Sequence, residues 1–267
     1  MSQELTVNTN FWSKPPWADL KGKYRLGLKP IELSEWFDTS IGKELKQHKK
    51  QLLQDSYETV IKTTEDSLEA QELLTSHIRS NNEYSDPIAS MSLSVPDDLC
   101  IIESNGDQRL LAASVCSPSY WNLKDKIGKP LRVIHKPVKT LNEKIGNPIE
   151  KFIKNAPVGK PFKRENWFIH GDSTRMHLQS ESFPEGNVEE WIIRSERETL
   201  CRYNEKYSLF AINVRFQKLS YVNDFLEAKN TLKESLLNLD DDEIAYFGGQ
   251  LKLDLILSYL DSHKDLK

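Results

Sequence analysis

In the stretch YSLFAINVRF, Phe210, Ile212, Val214 and Phe216 fall at every second position. That period puts all four on one face of an extended strand, whereas a helix would scatter them around its axis. A strand with one apolar face needs sheet neighbours, and the chain supplies candidates close by. RENWFIHG and EEWIIRSERETL precede it. Further upstream LCIIES and RLLAASVC flank Asn105-Gly106, a dipeptide that favours a tight hairpin because both turn positions want positive φ. Strands are therefore expected near 99–104 and 108–116.

Helical signals surround these strands. Leu45, Leu52 and Leu53 are spaced for one helix face, with KQHKK on the wet side. A second helix is expected over about Glu65–Arg79, with Leu68, Leu73, Leu74 and Ile78 inward. Residues 118–156 read as irregular and helical. Within them NPIEKFIKNA offers Asn147 as a cap, Pro148 at the first helical position and Glu150 for a capping box. Ile149, Phe152 and Ile153 would then face inward. Two amphipathic helices close the chain, one over about Asn223–Leu237 and one after Gly248-Gly249. Residues 1–30 read as an arm: Pro15 and Pro16 oppose regular helix, Phe11, Trp12 and Trp17 offer apolar anchors for docking on the body, and a partly ordered tail is the alternative.

Two hairpin strands, a helical crossover and three further strands is the order of a PAS-like domain. The expected fold is thus α+β: a PAS-like five-stranded antiparallel sheet whose helical flank walls a ligand pocket. The expected organisation is an arm with packing helices over 1–90, the core over 91–219 and closing helices over 220–267, as one compact unit.

Composition narrows the function. The 267 residues carry a net charge of −4 with no basic face, which argues against nucleic acid. No apolar stretch approaches the roughly 20 residues that cross a bilayer, and the amino terminus lacks the pattern of a signal peptide. Cys100, Cys116 and Cys201 lie far apart, which argues against a disulfide framework or a paired-cysteine zinc site. A reducing, cytoplasmic setting is expected.

Of six histidines, His48, His77 and His263 fall on helix faces or near ends, and His135, His170 and His177 remain. In LRVIHKPVKTL, an extended 131–135 would put Leu131, Val133 and His135 on one face, since Lys136 precedes a proline and is itself pushed to extended backbone. A neutral imidazole on an apolar wall satisfies one nitrogen locally and offers the other to a metal, with haem iron the natural acceptor. The alternative is a satisfied structural histidine.

Several blocks in order resemble the alpha-subunit family of haem-dependent oxidative N-demethylases. They are VPDDLC (95–100), Ser119 with Trp121, Lys126-Ile127-Gly128-Lys129-Pro130, Ile134-His135 with Pro137-Val138, Arg164 with Asn166-Trp167, and Glu196-Arg197 with Thr199-Leu200. The resemblance runs from LGLKPIELSEWF to about Phe216. Glu198 departs from it, standing where the family block reads glutamine. The resemblance implies haem in a PAS-like fold, His135 as the axial ligand of its iron, and oxidation of a dimethylamine-like substrate to formaldehyde and the demethylated amine.

A small alkylamine is cationic and calls for a buried carboxylate. Glu196 is the candidate catalytic residue. Extended backbone puts Ile192, Arg194, Glu196 and Glu198 on one face, where repulsion between neighbouring glutamates argues that at most one is inside. The alternative for these glutamates is solvated strand charge paired with Arg194 or Arg197. For haem propionates Arg164, Lys129 and Arg197 are candidates, with Asn166 beside Arg164 on one strand face. Trp121 and Trp167 read as core. Cys116 and Cys201 read as inert buried thiols rather than iron ligands.

The sequence has no GxGxxG fingerprint and no cysteine cluster for iron–sulfur. Electrons for an oxygenase would therefore come from a separate protein. The resemblance implies a flavin and iron–sulfur reductase drawing on NAD(P)H, and a folate-dependent partner that captures formaldehyde. Two other classes remain beside the enzyme: a haem-binding sensor or electron-transfer module without catalysis, and a haem-free interaction protein.

Overall fold

The computed structural model describes residues 5–18, 26–37, 40–136, 142–179 and 183–262. Its centre is an open antiparallel sheet of seven strands among the described residues, two more than the five expected. In chain order they are β1 (Lys29–Pro30), β2 (Ile61–Thr63), β3 (Asp98–Glu103), β4 (Leu110–Ser114), β5 (Pro161–His170), β6 (Ile192–Arg202) and β7 (Tyr207–Lys218). Across the sheet they run β1-β5-β6-β7-β3-β4-β2. The five expected strands form the middle. The additions are two- and three-residue edge strands, too short to leave a periodic signal in the sequence.

The long strands hold their register by alternation. β6 pairs with β5 from Ile192 opposite His170 to Cys201 opposite Pro161, and with β7 from Ile192 opposite Lys218 to Arg202 opposite Ser208. Its eleven residues are buried except Arg202. The hairpin between β3 and β4 differs from the two-residue turn that Asn105-Gly106 suggests. Gly106 (φ 63°) and Gln108 (φ 53°) take the left-handed conformation and Asn105 does not. The loop is therefore longer, and a register shift at Ile101–Ile102 absorbs the mismatch. Arg109 closes its base through a fork to both Glu103 oxygens, at 2.7 and 3.1 Å.

One face of the sheet is dry and structural. At one end Leu99, Ile101, Leu209 and Ala211 pack with the segments around Leu53, Leu74, Ile88 and Met91. At the other end Trp167, Ile169 and Ile193 receive the arm and the closing helices. The arm docks as its aromatics suggested: Trp12 Nε1 donates to Gln217 at 3.0 Å and Trp17 Nε1 to the Ala228 carbonyl at 2.9 Å. Residues Thr9–Ser13 form a short helix ahead of the two prolines, capped by Asn8.

Several helical expectations are corrected. Helix Lys43–Asp55 forms, but KQHKK is not all wet. Lys49 is fully buried and donates to the carbonyls of Ser92, Val95 and Asp97. The helix expected over 65–79 spans Leu68–Leu74, with Ala70, Gln71 and Leu74 buried and Leu68 and Leu73 exposed. Helix Asn147–Asn155 starts where proline placed it, yet without the capping box. Asn147 and Glu150 both accept from Arg132 instead. Among the described residues three α-helices close the chain, Leu226–Leu237, Asp241–Phe247 and Gln250–Ser262, where two were expected. The middle one starts on an Asp240–Glu243 capping box.

Candidate functional site

Between β4 and β5 the chain crosses the other face of the sheet. There the segment at 131–135 is not extended. Leu131–Ile134 is one helical turn that starts after Pro130 and ends on His135. Pro130, at the N-cap, sets where it begins. Helical spacing changes which residues turn inward. Leu131 and Ile134 are buried, His135 is half-buried beside them, and Val133 faces solvent.

The His135 ring sits where two cavities meet. One, of about 190 Å³, is lined by residues that include Cys100, Ser117, Ser119, Trp121, Glu196 and Ile212. The other, of about 220 Å³, is lined by residues that include Leu28, Ile149, Phe152, Arg164, Asn166 and Glu198. His135, Ile102, Leu131 and Phe210 belong to both walls. Among the described residues neither imidazole nitrogen has a hydrogen-bond partner. Burial, reinforced by the positive charges of Arg164 and Lys126, holds the His135 pKa down at about 4. The ring is therefore neutral at physiological pH, the form that binds metal.

Alternation along β6 delivers Arg194, Glu196 and Glu198 to this face. Both glutamates are inside, which corrects the expectation of one. Each is matched to an arginine: Glu196 to Arg194 at 3.1 Å and Glu198 to Arg164 at 2.8 Å. Opposite charge at contact distance offsets what like charges two residues apart would cost. Burial still raises the Glu198 pKa to about 7 against the pull of Arg164, with Glu196 and Glu165 pushing the same way.

Arg164 and Asn166 share the Glu198 cavity. Arg197 does not. It points to the opposite face of the sheet and donates to the carbonyls of Glu35 and Trp36. Lys129 is exposed and lines neither cavity; its carbonyl accepts from Leu110 N. Of the candidate propionate donors, the structure brings Arg164 and Asn166 to the His135 cavities and leaves Arg197 and Lys129 away from them. Trp167 packs in the core as expected, while Trp121 is half-buried and lines a cavity wall. Pro137 and Val138 lie outside the described residues.

Two buried charges shape the wall, Asp98, which the sequence showed only within a block, and Arg194, which it offered only as a partner for the glutamates. Asp98 accepts from Cys116 N and Ser117 N at 2.9 and 2.8 Å. Arg194 donates to the Ser117 carbonyl and, at 3.1 Å, to that of Arg175. Together they clamp the turn that leads to Ser119 and Trp121. The block VPDDLC flagged Asp98 by position, but no local pattern disclosed what it holds. Burial keeps all three thiols protonated, with Cys116 and Cys201 pushed up to about 12, so none is a thiolate ligand at neutral pH.

A family model described as haem-dependent oxidative N-demethylase, alpha subunit-like, matches residues 41–254, well over half of the chain. The chain belongs to that family. The match starts after the arm, later than the blocks in the sequence suggested, and reaches past β7 into the last helix. None of the curated proteins matches the chain.

The family's name carries haem dependence, and the residues at the junction fit the group. Haem brings four nitrogens of its own and takes as little as one protein ligand. One neutral histidine facing two largely apolar cavities is a side chain that would suit as that ligand. Arg164 beside it has the planar fork that suits a carboxylate such as a propionate. Among the described residues no three His, Cys, Asp or Glu side chains gather to hold a bare metal ion. No described helix is long and apolar enough to cross a membrane.

Proposed function

We propose that this chain is a haem-dependent monooxygenase that demethylates a small dimethylamine-like amine, releasing formaldehyde. The observation that carries the reading is the neutral His135 ring at the junction of two largely apolar cavities, one walled by the buried carboxylates of Asp98 and Glu196 and the other by that of Glu198. Membership of the N-demethylase family supports it. The five middle strands also follow the order of a PAS-like sheet, with β3-β4, the crossover, then β5, β6 and β7.

Haem, when bound, supplies reductive activation of dioxygen for insertion of one oxygen atom into an N-methyl group. The chain's own residues do the rest. His135 donates its neutral nitrogen to the iron. Arg164 and Asn166 receive a propionate. Glu196, fixed by Arg194, offers its carboxylate to the cationic amine and holds it in an otherwise apolar space. Ile102, Leu131 and Phe210 exclude water from the shared wall. Electrons come from a separate flavin and iron–sulfur reductase that uses NAD(P)H, and a folate-dependent partner takes up the formaldehyde.

The test is direct. The haem-loaded chain is mixed with dimethylamine, dioxygen and an external reductant, and formaldehyde is measured. The reading expects formaldehyde in step with amine consumed, and its loss in Glu196→Gln while the haem spectrum stays. No formaldehyde from any of a panel of methylamines, with a reductant that demonstrably reduces the haem, would overturn it.

A further inference from the structure

A larger cavity, of about 580 Å³, adjoins the smaller His135 cavity. It shares Ser119, Trp121 and Ile134 with the smaller His135 cavity, while His135 itself takes no part in its wall. Its size is that of a site for a medium-sized organic molecule.

Two features give its chemistry. The first is charge. Lys126 and Lys252 both stand in the wall, and among the described lining residues there is no carboxylate. Each ammonium is anchored on a backbone carbonyl: Lys126 on Ile134 at 3.2 Å, and Lys252 on Ile169. An ammonium has three donors, so Lys126 held by one carbonyl retains capacity toward the cavity. Beside them Tyr120 Oη and His170 Nδ1 are 2.9 Å apart.

The second feature is flat apolar surface. Trp121 forms one wall, and Phe168 and Tyr246 meet edge-on at 5.9 Å on another. Exposed Leu178, Phe183 and Tyr246 rim the cavity, where apolar side chains in water are covered by whatever enters.

The local backbone is built around this arrangement. Gly248 has φ 120°, and a Cβ there would lie 2.8 Å from Lys252 Cδ. Any other residue would displace the lysine stem. Tyr120 holds a left-handed φ of 57°, a conformation that costs a non-glycine residue energy and concentrates at binding sites. Burial lowers the Lys126 pKa, with Asp125 opposing the shift and Lys129 adding to it.

We infer that this cavity is a second ligand site, for a planar aromatic molecule bearing a carboxylate, sulfonate or phosphate, separate from the His135 junction. The rings take the flat body and Lys126 and Lys252 take the anion.

The test uses two fluorescent probes that differ in charge: anilinonaphthalene sulfonate and its uncharged parent, phenylnaphthylamine. Both are titrated into the haem-saturated full chain and into the His135→Ala variant. The inference expects saturable binding of the sulfonate to both proteins. Lys126→Gln should weaken the sulfonate by about tenfold or more and leave the neutral probe unchanged, as loss of a charged hydrogen bond predicts. Tyr246→Ala, at an exposed position, should weaken both probes. Circular dichroism confirms that each variant is folded. Sulfonate binding that is indifferent to Lys126→Gln would overturn the inference, as would equal losses for the two probes. Haem displacing the sulfonate one for one would assign this cavity to the haem and overturn the second site.

Discussion

Glu198→Gln changes one atom in a buried carboxyl group and should change how stability depends on pH. Glu198 is 7% exposed, and its pKa rises from 4.5 to about 7, chiefly through burial. Below about 4.5 the folded and unfolded chains both hold the proton, and the group contributes no pH dependence. Between 4.5 and 7 the unfolded chain releases the proton while the folded chain retains it, so stability falls as pH rises. Above 7 both are ionised and the loss is complete. At 1.36 kcal/mol per pKa unit, the whole loss is roughly 3 kcal/mol. Glutamine keeps the shape and still accepts from Arg164, but it cannot ionise. Urea unfolding of both haem-free chains at intervals from pH 4 to pH 8 isolates the effect, because groups common to both cancel in the difference. The variant should gain on the parent progressively through the window and by roughly 3 kcal/mol above it. The repulsion from Glu196 and Glu165 is already contained in that shift. A difference between the two chains that is flat from pH 4 to pH 8 would refute the reasoning.

Arg197→Ala should destabilise the chain by about 3 kcal/mol, since the carbonyls of Glu35 and Trp36 lose a buried charged donor; thermal unfolding reads it, and haem uptake should stay at the parental level. Arg164→Ala should do the reverse, weakening haem uptake in a spectroscopic titration with a smaller effect on stability, because its side chain is partly exposed. Lys49→Met should cost about 3–5 kcal/mol in urea unfolding, as three buried carbonyls and nearby Asp98 lose their cation. Gly106→Ala should cost about 1 kcal/mol through its left-handed φ of 63°, although nothing stands within 4 Å of an added Cβ.

The sheet was legible because alternation is a local property. Phe210, Ile212, Val214 and Phe216 announce β7, and the same alternation along β6 correctly separates Glu196 and Glu198 from Arg197. Asn105-Gly106 announced a hairpin but not its loop, because only Gly106 takes the positive φ that both positions of the tight turn require. The short edges β1 and β2 have no periodicity to read. Lys49 looked wet because its neighbours are charged, and the carbonyls that hold it lie more than forty residues away. Leu131, Val133 and His135 looked coplanar only for extended backbone; one helical turn substitutes Ile134 for Val133. Both glutamates are inside because their arginines come from different places: Arg194 from the same strand, Arg164 from β5. Cross-strand register brings the second pair together, and sequence spacing alone does not contain it.

The central claim is that His135 holds haem iron, and a haem titration followed by absorption tests it most directly. The account predicts saturable uptake of one haem per chain with a sharp Soret band. In His135→Ala that band should be lost or shifted, and added imidazole should restore it. A His135→Ala chain that takes up haem with the parental spectrum and affinity would contradict the account.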